Sequence, residues 1–251
     1  MNAVAFASLN DGLISYYPFS GSANDYSGNG LHGVVSGAVL VQDRFGNSNS
    51  AYLFDGIDDS IIVDNRDGIF NLTSFWTLSA WVKPNEPSGQ WGENPIIIKR
   101  TYGTTDDSYS LAWGCALEDV QLQNVFHTKL ERASDDKDFP LDSYSHVPYQ
   151  WYHVVGTYDN DSIKIYVNGQ LEGSEVIGPV IPYVGSTPLT IGYFPYPGGS
   201  FTFNGLIDDV RIYNRGLSDQ EVLQLYQIPE PGTLSLLALG GMALLRKRRR
   251  N

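Results

Sequence analysis

The segment "GLIDDVRIYN" (205–214) raises a chemical question. Alternation puts Leu206, Asp208, Val210 and Ile212 on one face of a strand, and Ile207, Asp209, Arg211 and Tyr213 on the other. Three aliphatic neighbours make the even face the inward one, which sets Asp208 in apolar surroundings. A buried carboxylate is costly unless a positive group or several donors compensate it. A hard cation such as calcium would do so, because it takes oxygen ligands from carboxylates and carbonyls. Backbone N–H groups or an arginine would serve as well. The acidic stretch "DGIDDS" (55–60) reads instead as a polar hairpin tip. In "GYFPYPGGS" (192–200), Tyr193, Phe194 and Tyr196 offer aromatic faces that could stack on sugar rings. The same rings, stiffened by proline, could equally pack on the rim of a fold.

The motifs of catalysis are missing. Retaining and inverting glycosidases need two carboxylates facing one cleft, and no E-x-D-x-x-E spacing aligns them on a strand here. In "ALEDVQLQN" (116–124), Glu118 and Asp119 are adjacent and point to opposite sides. H-E-x-x-H, G-x-S-x-G and G-x-x-x-x-G-K-[ST] are also absent. His32, His127, His146 and His153 are scattered, and His153 in "WYHVV" reads as a packing residue. Cys115 is alone, so no intrachain disulfide exists.

The elements that would position these residues are short strands. "SIKIYVNGQL" alternates Ile163, Ile165 and Val167 against Lys164, Tyr166 and Asn168, then turns at Asn168-Gly169. "TLSAWVKP" alternates Leu78, Ala80 and Val82 against Thr77, Ser79 and Trp81. "SIIVDN", "WYHVVGTYD" and "PLTIGYF" continue the series, whereas residues 86–148 include long loops, notably "ERASDDKDFPLDSYS". One helix is expected, "LSDQEVLQLYQ". Ser218 and Glu221 stand at capping-box spacing and Val222, Leu225 and Tyr226 share a face, placing the helix over the sandwich edge. The sum is an antiparallel β-sandwich.

Composition agrees: 26 Gly, 13 Pro and 16 Tyr fit many tight turns, and 42% hydrophobic residues supply a core. The net charge of −12 is blunted by RKRRR at 246–250; without the segment from 229 onward the chain is at −16. Such a body repels nucleic acid and anionic lipid, leaving cations, neutral glycans and basic protein patches as partners.

"DGLISYYPFSGSANDYSGNGLHG", "YLFDGIDDSIIV", "TLSAWVKP", "WYHVVGTYDNDSIKIYVNGQLEG" and "FNGLIDDVRIYNRGLSDQEVLQLY", in that order, resemble a bacterial laminin-G-like domain of the concanavalin A-like kind. The resemblance spans about residues 11–227 and implies an all-β, two-sheet antiparallel jelly roll. It also implies a structural calcium held by an acid in the last strand with ligands from the N-terminal region, here Asp208 with Asp25 of "SANDYSGNG". Pentraxin-like relatives hold a ligand-binding calcium in an acidic loop before the final strand. That loop is "GYFPYPGGS" here and has no acid.

The two ends speak of destination. Pro229-Glu230-Pro231, an apolar run from Gly232 to Leu245 and the basic cluster resemble a PEP-CTERM sorting signal. This implies export in bacteria, processing near Pro229–Pro231 by an exosortase-type enzyme, and delivery to the cell envelope or extracellular matrix. As a helix the run is roughly 21 Å long, short of a hydrocarbon core of about 30 Å, so membrane contact is transient. Ala5-Phe6-Ala7 before Ser8 reads as the cleavage end of a signal peptide. The expected organisation is residues 1–10 as the remnant of that peptide, 11–227 as the jelly roll and 228–251 as the sorting tail. The expected function is a non-catalytic binding or matrix module recognising extracellular polysaccharide or a surface protein. The alternatives are a glycan-active hydrolase or lyase and a structural matrix protein without a discrete ligand site.

Overall fold

The computed structural model describes residues 8–87, 93–100, 107–115, 123–196 and 199–228. Among them the strands run β1 Leu13–Tyr17, β2 Gly33–Ser36, β3 Val39–Val41, β4 Ala51–Asp55, β5 Ser60–Val63, β6 Trp76–Pro84, β7 Glu93–Arg100, β8 Asp107–Cys115 and β9 Gln123–Arg132. Then follow β10 Lys137–Ser145, β11 Tyr152–Tyr158, β12 Ser162–Val167, β13 Gln170–Val176, β14 Leu189–Ile191, β15 Tyr193–Tyr196, β16 Gly199–Thr202, β17 Asn204–Tyr213 and helix α1 Asp219–Gln227. They form the two-sheet antiparallel jelly roll. The first sheet is ordered β13-β12-β11-β6-β17-β4-β3, with β1 also on β17; the second is β10-β9-β8-β7-β14-β5-β2. β15 and β16 make a separate ribbon.

Period-2 alternation builds the core. Leu78, Ala80 and Val82 of β6 and Ile163 and Ile165 of β12 face Tyr109, Leu111 and Trp113 of β8 and Phe126 and Leu130 of β9 across the sandwich. Trp76 stacks on Tyr109 at 5.6 Å between ring centroids, tying the sheets together. Each such fully buried apolar side chain contributes about 1.5–3 kcal/mol. The β12–β13 turn is made at Asn168-Gly169, both with positive φ (51° and 76°), as the hairpin signal requires.

Two expectations need correction. The stretch read as a loop, "ERASDDKDFPLDSYS", is the β9–β10 hairpin. Arg132 grips Asp135 through two 2.7 Å bonds at the turn, and Phe139 anchors the return strand in the core. Helix α1 carries the expected capping box between Ser218 and Glu221, but it lies on the outer face of the first sheet rather than at an edge. Val222 and Leu225 pack there on Val155, Tyr166 and Tyr213.

β17 departs from simple alternation. Ile207, Val210 and Ile212 all enter the core, because the register shifts between Asp208 and Arg211 where Asp209 adopts φ 50°. This bulge also divides the strand's partners: Asn204–Ile207 pair with β4 and Val210–Tyr213 with β1. Ahead of the bulge the odd residues point inward. Leu206 and Asp208 are therefore on the outer face, not the inner one that uninterrupted alternation predicts.

Asp208 is nonetheless buried, with 1% exposure, because Arg44 from the β3–β4 turn closes over it. Arg44 Nη1 donates to Asp208 Oδ2 and Nη2 to Asp209 Oδ2, both at 2.8 Å. The guanidinium lies 4.2 Å from the ring centroid of Trp81, Asp208's neighbour on β6. Asp209 also accepts from the Tyr16 hydroxyl at 2.8 Å and lies 3.3 Å from Arg211, which stacks on Tyr16 at 4.0 Å. Burial pushes the Asp209 carboxyl up, but Arg211, Arg44 and the Tyr16 hydroxyl together hold it below the usual carboxylate range. Two cations and two anions thus balance within one buried layer. Arg44→Met leaves both carboxylates short of a partner and is expected to lower stability by about 3–5 kcal/mol in urea unfolding, whereas Arg132→Met at the exposed hairpin turn should leave the unfolding midpoint nearly unchanged.

Candidate functional site

The expected calcium residues are engaged by the protein itself. Asp25 Oδ1 accepts from the amides of Tyr16 (3.0 Å) and Ser27 (2.8 Å), and Oδ2 from the Ser27 hydroxyl (2.9 Å) and the Leu31 amide (3.1 Å). Burial raises its pKa, but these donors bring it below the usual value. Asp208 has the Arg44 guanidinium and, at 2.7 Å, the Asp209 amide. Four donors on one carboxylate and a fixed cation on the other do not fit a calcium cage built on this pair. The Asp55, Asp58 and Asp59 carboxylates lie within 4.8 Å of one another, but Asp55 and Asp59 serve the β4–β5 turn. Asp59 accepts the Asp55 amide and Asp55 the Ile57 amide, both within 2.9 Å.

The aromatic loop is folded back as the β15–β16 ribbon. Phe194 is buried, stacks on Phe201 at 6.5 Å and lies under the Arg100 guanidinium at 4.2 Å. Tyr193 is half-buried, and the Tyr196 side chain lies outside the described residues. Pro229, Glu230 and Pro231 also lie outside them. As placed, Phe194 offers no open face to a sugar.

The polar residues that strand alternation gathers are elsewhere, on the outer face of the second sheet. On β8, Ser110, Ala112 and Gly114 alternate with the core residues Leu111 and Trp113. Ser110 and Ala112 are nonetheless fully buried. Beside them on β9, His127 and Lys129 pair laterally with Ala112 and Ser110. Asp142 of β10 stands beside His127, and Glu93 of β7 beside Gly114. His127 is fully buried, its Nε2 is 3.9 Å from Glu93 Oε1, and neither ring nitrogen has a hydrogen-bond partner among the described residues. The same is true of Ser110 Oγ. Burial, then Lys129, pushes the His127 imidazole down to about 3, so it is neutral at ordinary pH. Tyr144, just past Asp142 on β10, and Tyr149 are 69% and 56% exposed, making open aromatic surfaces at the β10 end of this sheet. Sequence reasoning missed this face. The alternation in "DSYSLAWG" was legible as small-out and large-in, but the partners across the sheet were not.

A family model described as the concanavalin A-like lectin/glucanases superfamily, of laminin G type, matches residues 55–223. The chain belongs to this superfamily. The PEP-CTERM protein-sorting motif matches residues 227–250 and marks the superfamily member for export and the cell envelope; no helix among the described residues is long and apolar enough to cross a membrane. Similar solved structures include the binding domain of Paraclostridial Mosquitocidal Protein 1 (TM-score 0.66, 19% identity, 87% of this chain and 52% of that one). The binding domain of botulinum neurotoxin DC in complex with rat synaptotagmin II is similar at TM-score 0.65 and 17% identity, again over 87% and 52%. Domain 4 of AbnA, a GH43 extracellular arabinanase from Geobacillus stearothermophilus, in complex with arabinotriose, matches at TM-score 0.59 and 18% identity over 86% of this chain and 98% of that one. Among curated proteins, the adhesion G-protein coupled receptor V1 of Danio rerio is 23% identical over 160 residues, which is 61% of this chain and 2% of the receptor. The chain thus spans about half of the toxin domains and a small part of the receptor, and these likenesses show the shared fold.

Two tests follow from this geometry. Because the Asp25 and Asp208 carboxylates are saturated by protein donors, thermal unfolding in chelator and in millimolar calcium is expected to give the same Tm; a fall of several degrees in chelator would restore calcium. His153, buried with Nε2 3.0 Å from Ser79 Oγ, is also pushed down to about 3, first by burial and then by Arg211. Both histidines are neutral when folded and take up protons near pH 6.5 when unfolded. Stability is therefore full above about pH 6.5 and falls as pH drops from there toward 3, at about 1.4 kcal/mol per unit for each. Urea unfolding from pH 7 to 5 should show this slope, and His127→Gln should halve it.

Proposed function

We propose that this protein is an exported, non-catalytic binding module that recognises extracellular polysaccharide through its exposed aromatic surface at the β10 end of the second sheet, after processing of its tail by an exosortase-type enzyme. The observation that carries the reading is the pair of open aromatic surfaces at Tyr144 and Tyr149, 69% and 56% exposed. The exposed rings of Tyr144 and Tyr149 supply the apolar faces on which pyranose and furanose rings stack. The acidic body excludes polyanions as ligands by charge. The arabinotriose bound by AbnA domain 4, a similar fold, supports an oligosaccharide in this architecture.

A binding screen of the full chain in mild detergent tests this, using a panel of neutral and acidic polysaccharides with hydrolysis products assayed in parallel. The expected result is selective binding of a neutral polymer without cleavage, weakened severalfold by Tyr144→Ala. Binding confined to a protein from the cell surface would overturn the polysaccharide reading, and release of reducing ends would make the protein an enzyme.

A further inference from the structure

β10 and β13 are end strands of the two sheets, and they meet where the sandwich closes. Gly173 of β13 permits the approach, since a Cβ there would stand 3.0 Å from the Asp142 carbonyl oxygen of β10. Its neighbour Glu172 reaches across to the end of β10. Glu172 Oε2 accepts from the Tyr144 amide at 3.0 Å and lies 3.0 Å from His146 Nε2. The His146 ring is fixed in turn by Phe126 and Tyr152, with centroids 5.5 and 5.0 Å away. One carboxylate oxygen is therefore committed to the fold. The other, Oε1, has no hydrogen-bond partner among the described residues and is not sealed from water. The Glu172 and His146 side chains keep 12% and 15% of their surface exposed. Tyr144, whose amide Glu172 holds, turns an open ring to solvent, and Val147 and Tyr149 extend the exposed surface. Tyr149 is held at φ 66°, its amide donating to the Pro84 carbonyl at 2.7 Å. That left-handed conformation costs an aromatic residue free energy, yet the ring is left outside the core.

We infer that Glu172 Oε1 and the Tyr144 ring together form the position that reads one sugar of a neutral glycan. The ring carries the C–H face of the sugar, and Oε1 accepts the proton of one of its hydroxyls. The inference deepens the polysaccharide reading and rests on it. A carboxylate is an acceptor only, and a hydrogen bond to a charged oxygen is roughly twice as strong as one between neutral groups. A uronate carboxylate or a sulfate at that place has no proton to give and is repelled by Glu172. A methyl ether in place of the hydroxyl keeps its acceptor and loses its donor, so this position rejects it as well. His146 is a positioning residue: with the Tyr144 amide it engages Oε2 and leaves Oε1 facing outward.

The test titrates arabinotriose, cellotriose and xylotriose into the full chain in mild detergent, as wild type, Glu172→Gln and Tyr144→Ala. The expected outcome is a roughly tenfold or greater loss of affinity in Glu172→Gln for the trisaccharide that the wild type binds. Its Tm should be little changed, because the glutamine oxygen still accepts the Tyr144 amide. Mono-O-methyl ethers of that trisaccharide supply a signature that a merely structural role would not give. One ether should bind the wild type about tenfold more weakly than the parent does, while Glu172→Gln binds that ether and the parent alike. A loss in Tyr144→Ala with none in Glu172→Gln overturns the role of Glu172 and leaves the binding module standing. A loss in Glu172→Gln that no ether reproduces in the wild type overturns it too. A wild type that binds none of the trisaccharides overturns the polysaccharide reading and the inference with it. Should Glu172→Gln fail to fold, the ethers on the wild type decide: a tenfold loss with one of them supports the inference, and equal binding of all of them overturns it.

Discussion

Arg44 reaches across from the β3–β4 turn to hold Asp208 and Asp209 at 2.8 Å each while resting on Trp81. This contact sits where the first sheet changes partners. The bulge at Asp208–Arg211 would otherwise present two adjacent carboxylates to a buried layer, a costly arrangement without compensating charge. With Arg44 and Arg211 in place, the layer is electrically balanced, and β17 can serve β4 with its first half and β1 with its second. The N-terminal strand, the turn that carries Arg44 and the central strands of the sheet are thereby fixed to one another through Tyr16, Trp81 and the paired acids.

The outer face of the first sheet is occupied: Arg44 and its partners cover one part, and helix α1 covers another with Val222 and Leu225. The aromatic overlap of Tyr226 on Trp81, at 5.6 Å, joins the two covers. The second sheet is covered too: Phe194 of the β15–β16 ribbon packs against Arg100 of β7, and Ser110, Ala112 and His127 of β8 and β9 are fully buried. Tyr144 and Tyr149 remain open, at 69% and 56% exposure.

What the sequence alone determined was everything set by local period and local chemistry. Alternation in β6 and β12 named the inward residues, Asn168-Gly169 named a hairpin turn, Ser218 with Glu221 named the start of the helix, and the terminal tripartite signal named the destination. Each depends on residues within a few positions of one another. What only the tertiary structure decided depended on partners far apart in the chain. Arg44 and Asp208 are separated by 164 positions, so the counter-charge that takes the place expected of calcium had no signature near the strand. The bulge that turns Asp208 outward breaks period 2 with one residue at φ 50°, and nothing in "GLIDDVRIYN" marks it. The approach of Glu93 to His127 likewise exists because β7, β8 and β9 lie side by side, bringing residues of separate strands to one face. Alternation fixes which side of a strand a residue takes. Only the folded sheet fixes whom it meets there.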